Sequence, residues 1–363
     1  MTELMNTLLG TSTKNDALWQ TYQQQKAGDR MLFPTEGAEA LGVSEFELLL
    51  ASPHSQYMGR NYKEVLLQLE QFGQVESIVR NKLAVSEKQG VYENVKLGEK
   101  MGLALNVGGL DLRFFMWQWQ YMLAVTDESK ESYSIQFFDA QGNAIEKVFL
   151  RDLSAQNLQK WQALIQAEIK ATEATDITLE AKQDKQLWQY KALDSEGLST
   201  LHTQWLDMTD VHQFHFLLKK LALDRISSFC QAPEGMATKL DTTAVETLLL
   251  AVQQQQCPIM IFVGNTGMIQ VQTGKVHHVK RMGDWLNILD KKQTNFTLHL
   301  KDKALAQLWC VKRPTKDGIV TAIEGFDAYG DSMVTFFGQR KEGEPEQEDW
   351  LNITTQLCAT QAI

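Results

Sequence analysis

The chain has 363 residues, of which 44% are hydrophobic and 22% charged, a composition typical of a folded globular protein. Thirty-five Lys and Arg residues against 45 Asp and Glu residues give a formal net charge of −10. A general binder of nucleic acid or of an anionic membrane needs a basic surface, so this balance argues against both classes. The length predicts two domains of ~150 residues rather than one.

The N-terminus, MTELMNTLLGTSTK, has no Lys or Arg before Lys14 and only a short apolar stretch, which is not the composition of a signal peptide. No later window approaches the ~18 uninterrupted apolar residues of a membrane span. The four cysteines (Cys230, Cys257, Cys310 and Cys358) form no CxxC pair and are expected to be reduced thiols. We therefore predict a soluble, cytoplasmic protein.

The secondary-structure signals come in the same order twice: helices, then strands, then a closing helix. The early helices start at Ser44, with Glu47 completing a capping box, and at Asp224. Strand-like alternation dominates from about residue 75 to 150 and from 258 to 338, and residues 154–170 read as an amphipathic helix. This order predicts an α+β fold with a large antiparallel sheet in each half.

Collinear blocks show that the two halves are copies. IQFFDAQGNAIEKVFL (135–150) reappears as IEGFDAYGDSMVTFFG (323–338), each a strand, an FDA-x-G turn and a strand. LDLRFF (110–115) matches FTLHLK, residues 78–91 match 262–276, and Trp161 matches Trp350. We predict a tandem duplication with an N-terminal repeat at 15–172, a linker at 173–195 and a C-terminal repeat at 196–358.

Six of the seven histidines lie beyond residue 200, and the stretch TDVHQFHFLLKKLALDR (209–225) is the most informative. Asp210 is a candidate N-cap, and a helix that follows it would place a core stripe on one face. His212, His215, Phe216 and Lys219 fall on the opposite face. A structural role and a ligand pocket are about equally compatible with this spacing, and a solvent-facing role is slightly favoured for His215.

The residue types favour haem over zinc as a ligand of such a pocket. Zinc needs four ligands, and neither histidine has a Cys or acidic partner at i+4. Haem needs one imidazole for its iron, an apolar slot and a few cations for its propionates. Candidate cations are Arg225 on the next helix, Lys312 and Arg313 after a strand, and Arg340 in a turn.

Five segments of the chain have a recognisable pattern: TDVHQF, LDLRFF, SIQFFDAQGNAIEKV, IMIFVGNTGMIQVQTG, and FDAYG followed by FFGQRKEGEPEQ. Together they resemble a known family, the cytoplasmic haemin-transport and haemin-degrading proteins of Gram-negative bacteria (HemS, HmuS, ChuS and ShuS type). The matching segments cover nearly the whole chain. The resemblance implies two similar α+β halves with haem in a cleft between them.

The resemblance also implies roles for individual residues. His212 would be the proximal iron ligand, and Arg113 would approach from the distal side; in an oxygenase these two would be the catalytic residues. The remaining predicted haem contacts are apolar walls and propionate partners: Phe115, Phe262, Arg225, Arg313, Phe337 and Arg340. The family usually has Tyr at the place of Phe337 and often Lys at that of Arg313, which keeps the charge but changes its geometry.

Two fates of haem remain open, oxygenase-like degradation that releases iron and non-catalytic carriage or storage. An inner-membrane haem importer and a downstream haem acceptor or electron donor would be the partners. A less favoured alternative is a helix-turn-helix regulator, because AEALGVSEFELLLAS resembles the start of that motif. The few Lys and Arg residues there predict no nucleic-acid partner. A third alternative is a duplicated scaffold without a ligand.

Overall fold

A computed structural model of the chain describes residues 16–28, 32–172, 177–182, 184–341 and 343–363. The predicted start of the first repeat at residue 15, and the N-terminal segment before it, lie outside these residues. The described chain divides into two compact units. Unit 1 comprises Met1–Arg80, Glu87–Gln183 and Asn265–Ile269, and unit 2 comprises Asn81–Ser86, Asp184–Gly264 and Gln270–Ile363.

Helices and strands follow the predicted order in each half. The α-helices are α1 (Asp16–Gly28), α2 (Pro34–Leu41), α3 (Glu45–Leu50), α4 (Tyr62–Gln68), α5 (Ala155–Ala171), α6 (Ser195–Leu206), α7 (Gln213–Lys220), α8 (Arg225–Cys230), α9 (Ala244–Gln255), α10 (Lys291–Thr294) and α11 (Glu348–Gln361). The early strands are β1 (Ser55–Tyr57), β2 (Val75–Arg80), β3 (Ala84–Gly90), β4 (Val95–Leu97), β5 (Met101–Ala104), β6 (Asp111–Phe115), β7 (Tyr121–Asp127), β8 (Ser132–Phe138) and β9 (Ala144–Leu150). The later strands are β10 (Ala237–Leu240), β11 (Ile259–Gly264), β12 (Met268–Gly274), β13 (Val279–Met282), β14 (Trp285–Asp290), β15 (Phe296–Leu300), β16 (Gln307–Thr315), β17 (Gly318–Phe326) and β18 (Ser332–Gly338).

Each unit contains the same run of antiparallel strands, which confirms the α+β prediction. In unit 1 the neighbours run β1-β7-β8-β9-β2, with a meander β4-β5-β6. In unit 2 they run β10-β16-β17-β18-β11, with a meander β13-β14-β15. The short edge strands β1 and β10 were not predicted, because three or four residues carry too little alternation to be recognised in sequence.

The sheet of unit 2 is covered on both faces. Trp205, Phe214 and Phe229 of helices α6–α8 pack on one face, against Trp309 and Val311 of β16. Leu248 of α9 and Trp350 of α11 belong to the apolar cluster on the other face. Because side chains alternate along a strand, β16 sends successive residues into different cores. The alternation places Arg313 on one face of the sheet and Cys310 on the other.

The FDA-x-G turns confirm the duplication in atomic detail. The carboxylate of Asp139 accepts the backbone N–H groups of Gln141 at 3.0 Å and Asn143 at 2.8 Å. Asp327 accepts those of Tyr329 and Asp331, both at 2.9 Å. The turn glycines, at residues 142 and 330, have φ of 78° and 83°, the left-handed region that glycine adopts without steric cost.

A second pair of equivalent side chains, Asn81 and Asn265, closes tight turns in the same way. In unit 2, the Asn81 amide donates to the carbonyls of Gly264 and Met333, and its oxygen accepts from Leu83 and Ala84. Both residues stand at matching places in the aligned blocks. They mark turns whose backbone groups are satisfied by a side chain rather than by a strand.

Asn265 makes the corresponding contacts within unit 1. Its amide donates to the carbonyls of Arg80 at 3.1 Å and Ile145 at 2.8 Å. Its oxygen accepts from the N–H groups of Gly267 at 2.9 Å and Met268 at 3.1 Å. A segment from the second half of the sequence is therefore part of unit 1.

The local capping predictions have mixed outcomes. Ser44 and Glu47 form the predicted capping box, and Asp224 caps α8 by accepting from Ser227 at 2.8 Å. The prediction that Asp210 caps the helix of the histidine stretch is wrong, because α7 begins only at Gln213. Asp210 instead accepts hydrogen bonds within the turn that precedes the helix.

Candidate functional site

His212 lies in the turn before α7 with 85% of its side chain exposed. Its backbone N–H and its Nδ1 both lie 2.7 Å from the same oxygen of Asp210. A carboxylate only accepts, so Nδ1 carries the proton and Nε2 keeps its lone pair when the ring is neutral. These hydrogen bonds, the backbone one first, hold the pKa of Asp210 below its usual value. The arrangement presents Nε2 as a metal-ligand atom with a fixed tautomer.

The start of α7 is anchored by its apolar face. Phe214 and Leu217 are buried, whereas His215 and Phe216 are exposed, as the helical spacing predicted. The ring of His215 contacts that of Phe216 edge-on, with centroids 5.7 Å apart. His215 thus has an aromatic neighbour where His212 has a carboxylate, and the structure distinguishes the two imidazoles.

Two of the predicted propionate partners, Arg225 and Arg313, converge on one buried carboxylate. Glu324 of β17 accepts on one oxygen from Nε and Nη2 of Arg225, at 3.0 and 2.6 Å, and on the other from Nη2 of Arg313 at 2.5 Å. Arg313 is 3% exposed, whereas the side chain of Arg225 is 39% exposed. Arg313 lies inside β16. The prediction that it follows a strand is therefore wrong.

This Arg225–Glu324–Arg313 triad also contacts the anchor of the His212 turn. The Arg313 guanidinium lies 4.5 Å from the centre of the Phe214 ring, and that of Arg225 lies 5.7 Å from it. A cation over an aromatic face is attracted by the electrons of the ring, most strongly where water is excluded. The triad therefore fixes the position of Phe214, two residues after His212.

The triad carries a net positive charge. Burial acts to raise the pKa of Glu324, but Arg225 and then Arg313 outweigh it and hold that pKa below its usual value. Glu324 is thus ionised and balances one of the two guanidinium charges. The remaining charge belongs to a cluster whose exposed member is Arg225, which suits an anionic ligand group.

Arg340, the third predicted propionate partner, follows β18 and is half-buried. Its Nε is buried and makes no hydrogen bond among the described residues. Its charge contributes to the lowered pKa of Asp210, the residue that holds His212. A guanidinium near the histidine therefore has a donor to offer to a carboxylate.

Phe262 and Phe337, two predicted apolar walls, lie together on adjacent strands. Phe262 of β11 is opposite Thr335 of β18, and Phe337 is two residues further along. Their ring centroids are 5.2 Å apart at an interplanar angle of 67°. Both rings are half-buried and leave part of their surface open to a ligand.

Arg113 and Phe115 lie in unit 1, on one face of β6. Opposite them on β5 are Leu103 and Met101, which are exposed, and Trp117 follows with 53% exposure. Arg113 forms an ion pair with the buried Asp111, and Phe115 packs against Trp117 with centroids 5.5 Å apart. This face of β5 and β6 therefore combines exposed apolar side chains with the guanidinium of Arg113.

Three further findings on the described residues bear on the site. A shallow groove of about 340 Å³ lies between α6 and α7, and none of the predicted site residues lines it. Nowhere in the described ranges do three His, Cys, Asp or Glu side chains cluster closely enough to hold a metal ion. No helix there is long and apolar enough to cross a bilayer.

Sequence reasoning missed two residues of the site. Asp210 was interpreted only as a helix cap, although its place two residues before His212 also allows a bond to the ring. Glu324 was not singled out, yet the repeat contains a signal: the first copy has Gln136 at the aligned place in IQFFDA. A charge present in one copy only is a sign of a role beyond the shared fold.

Comparison with known proteins places these features in a family. The model of the haemin-degrading HemS.ChuX domain matches residues 42–167 and 222–357. The hemin transport protein HemS of Yersinia enterocolitica is 37% identical over 338 residues, which cover 92% of this chain and 95% of that protein.

Solved structures with the same fold include two relatives at 33% identity. One is the heme degrading enzyme ChuS of Escherichia coli O157:H7, with a TM-score of 0.84 over 94% of this chain and 99% of that one. The other is holo-PhuS, a heme-binding protein from Pseudomonas aeruginosa, with a TM-score of 0.85 over 94% and 98%. The duplicated fold, the twice-matching family model and the near full-length identity lead to one conclusion: this chain belongs to the haemin-degrading HemS.ChuX domain family.

Proposed function

We propose that the protein is a cytoplasmic haem-binding protein of bacterial haem uptake and iron acquisition, with haem as its cargo and Nε2 of His212 as the iron ligand. The observation that carries the proposal is the imidazole itself. It is exposed, its Nδ1 proton is held by Asp210 at 2.7 Å, and its remaining nitrogen points away from that bond. A carboxylate that accepts a hydrogen bond from the other ring nitrogen of a metal-binding histidine orients the ring and raises its basicity.

The cations of unit 2 suit the two propionates of haem. Arg340 has a buried Nε without a partner among the described residues, and the side chain of Arg225 is 39% exposed. We assign both to propionate contacts. Arg313, predicted to bind a propionate, is enclosed by Glu324 and Phe214, and we assign it the role of positioning Arg225 and the His212 turn.

Apolar side chains would contact the haem ring. Phe262 and Phe337 offer half-buried rings on the sheet of unit 2. Arg113 and Phe115 of unit 1 keep their proposed role as haem contacts because they lie on an exposed apolar face. The relatives support the ligand: ChuS is described as heme degrading, PhuS as heme-binding and HemS as a hemin transport protein.

Haemin titration tests the proposal directly. We expect the wild-type protein to form one Soret species at a 1:1 ratio. Because His215 is one turn from His212 and could replace it, the informative variant is His212→Ala combined with His215→Ala, with His215→Ala alone as the matched control. The double variant should shift and weaken the Soret species, and the control should retain it. An unchanged spectrum in the double variant would refute the assignment of His212.

The fate of the bound haem is a separate question, since the related proteins include both a degrading enzyme and a transport protein. The proposed partners are an inner-membrane importer that supplies haem and either an acceptor that takes it or an electron donor that supports its degradation. Reduction of the haem-loaded protein under air separates the two fates. Degradation predicts a progressive loss of the Soret band that slows in Arg113→Ala, whereas carriage predicts that the unchanged band returns on reoxidation.

A further inference from the structure

Strand β16 carries a second group of reactive side chains on the face opposite Arg313. Cys310 and Lys312 alternate with Val311 and Arg313, so they point away from the triad and towards α11. Cys310 is buried, and Cys358 of α11 is half-buried and packs against the same apolar cluster. Both are free thiols.

The two thiols contact each other. Cys358 and Cys310 form a thiol–thiol hydrogen bond, and Thr238 of β10, the register partner of Cys310, also hydrogen bonds to Cys358. The positive charge of Lys312 acts on both thiols, and the negative charge of Glu346 acts on Cys310. The C-terminal end of α11 is held in place because Ala362 forms a β-bridge with Leu240.

These surroundings make the two thiols unequal. The hydrogen bond from Cys310, against the effect of burial, lowers the pKa of Cys358 to about 7, with Lys312 and Thr238 adding to the decrease. The same hydrogen bond, followed by burial, raises the pKa of Cys310 well above its usual value. At neutral pH one sulfur is therefore substantially a thiolate and its neighbour is a protonated thiol.

We propose that Cys310 and Cys358 form a peroxide-sensitive dithiol, with Cys358 as the attacking thiolate and Cys310 as the resolving thiol. The proposal is independent of haem binding. It rests on the packing of Cys358 against the apolar cluster that contains Cys310, on the position of Cys310 on the strand face that meets this cluster, and on the partial exposure of Cys358. Its product would be a reversible disulfide that ties α11 to β16.

The chemistry balances with hydrogen peroxide as the oxidant. The Cys358 thiolate attacks one peroxide oxygen, the O–O bond breaks, and hydroxide leaves and is protonated to water, giving the sulfenic acid. The Cys310 sulfur then attacks the Cys358 sulfur, and the S–O bond breaks as the S–S bond forms. The Cys310 proton and the leaving hydroxide form a second water. Two thiols are oxidised by two electrons, and one peroxide is reduced.

The other two cysteines are internal controls for reactivity. Cys230 is exposed, but partial burial of its sulfur raises its pKa. Cys257 is buried, and burial raises its pKa to about 11. Accessibility alone predicts that Cys230 reacts first, whereas the dithiol proposal predicts that Cys358 does.

Two measurements on the wild-type protein test the proposal. Iodoacetamide at pH 7, followed by peptide mapping, should modify Cys358 at least about tenfold faster than Cys230. Stoichiometric peroxide should remove two hydrogen atoms from the intact mass and link the peptides of Cys310 and Cys358. Dithiothreitol should reverse the link. Faster modification of Cys230, or a dimedone-trapped sulfenic acid on Cys358 while Cys310 stays free, would overturn the proposal.

The variant Cys310→Ser tests the order of attack, because its hydroxyl can still donate a hydrogen bond to Cys358 but cannot form a disulfide. Without its resolving thiol, Cys358 should accumulate as a dimedone adduct after peroxide. Cys358→Ala should leave Cys310 unmodified, because that thiol is buried and protonated. If either variant fails to fold, the wild-type peptide map still decides between a linked and an unlinked pair.

Discussion

At the scale of single residues, Asp210 determines what His212 can do. One carboxylate oxygen accepts from the backbone and from the ring of the same histidine, so the turn and the imidazole are fixed together. The sequence predicted the histidine and its exposure. It could not show the ring contact, because the tendency of Asp to cap a helix and its tendency to bond a nearby side chain give the same local pattern.

Replacing Asp210 by Asn should weaken haem binding without unfolding the turn. The amide oxygen keeps an acceptor for the backbone N–H but removes the negative charge that raises the basicity of His212. Loss of a hydrogen-bond partner of a metal-binding histidine costs ~10-fold or more in metal affinity. Haemin titration of Asp210→Asn should show this loss, and the nearby exposed Asp207→Asn should not. Equal affinities of the two variants would rule out a role for the charge.

A buried acid in unit 1 makes stability depend on pH. Glu146 accepts from Ser77 at 2.5 Å and from Tyr92, while its second oxygen is buried without a partner among the described residues. Burial raises its pKa to about 7. Because the folded protein then binds this proton more tightly than the unfolded chain does, the free energy of unfolding falls as pH rises.

The expected loss from Glu146 between pH 4.5 and pH 7 is about 3 kcal/mol. Glu146→Gln should remove this contribution, so the variant should lose less stability than wild type between pH 5 and pH 8. Urea unfolding at these two pH values measures the difference, with the exposed Glu234→Gln as the control. Parallel curves for wild type and Glu146→Gln would show that Glu146 does not titrate in this range.

At the scale of structural elements, local signals predicted local structure well. The capping box at Ser44, the cap at Asp224 and both FDA-x-G turns were predicted because their hydrogen bonds span only a few residues. The triad was not predicted, since Arg225 and Glu324 are 99 residues apart and Arg313 was interpreted as a propionate partner that follows a strand. Long-range pairing of charges leaves no periodicity in a sequence.

The turn residues Asn81 and Asn265 provide a test of the duplication. Each satisfies two carbonyls and two N–H groups within its own unit. Removing such a side chain leaves buried groups unpaired, at ~1–3 kcal/mol each. Asn81→Ala and Asn265→Ala should therefore each lower the free energy of unfolding by at least ~2 kcal/mol.

Urea unfolding compares these two variants with the exposed helix variant Asn352→Ala, which should stay within ~0.5 kcal/mol of wild type. A small effect at only one of the two turns would mean that the copies no longer share this device.

At the scale of the whole molecule, the predicted repeats are continuous in sequence, whereas the compact units are not. The predicted boundaries at 15–172, 173–195 and 196–358 describe the order of homologous sequence and remain a prediction. Unit 1 contains Asn265–Ile269 as well. There, the carbonyl of Gly267 accepts from Nε1 of the buried Trp119 at 2.8 Å.

A fragment of residues 1–182 should accordingly be less stable than unit 1 in the full chain. It would lack Asn265 and Gly267, and the indole of Trp119 and the carbonyls of Arg80 and Ile145 would lose their partners. Limited proteolysis and tryptophan fluorescence should show early cleavage and a red-shifted spectrum. A fragment that unfolds at the same urea concentration as unit 1 of the full chain would contradict this expectation.

The placement of Asn265–Ile269 also constrains how the protein is made. A ribosome releases the first copy of the repeat long before it reaches codon 265, so the growing chain spends most of its synthesis with unit 1 unfinished. The carbonyl of Ile145 and the indole of Trp119 stay without their final partners until those late residues emerge. Gene duplication thus produced two similar sequences, but the first becomes a complete body only after part of the second has been translated.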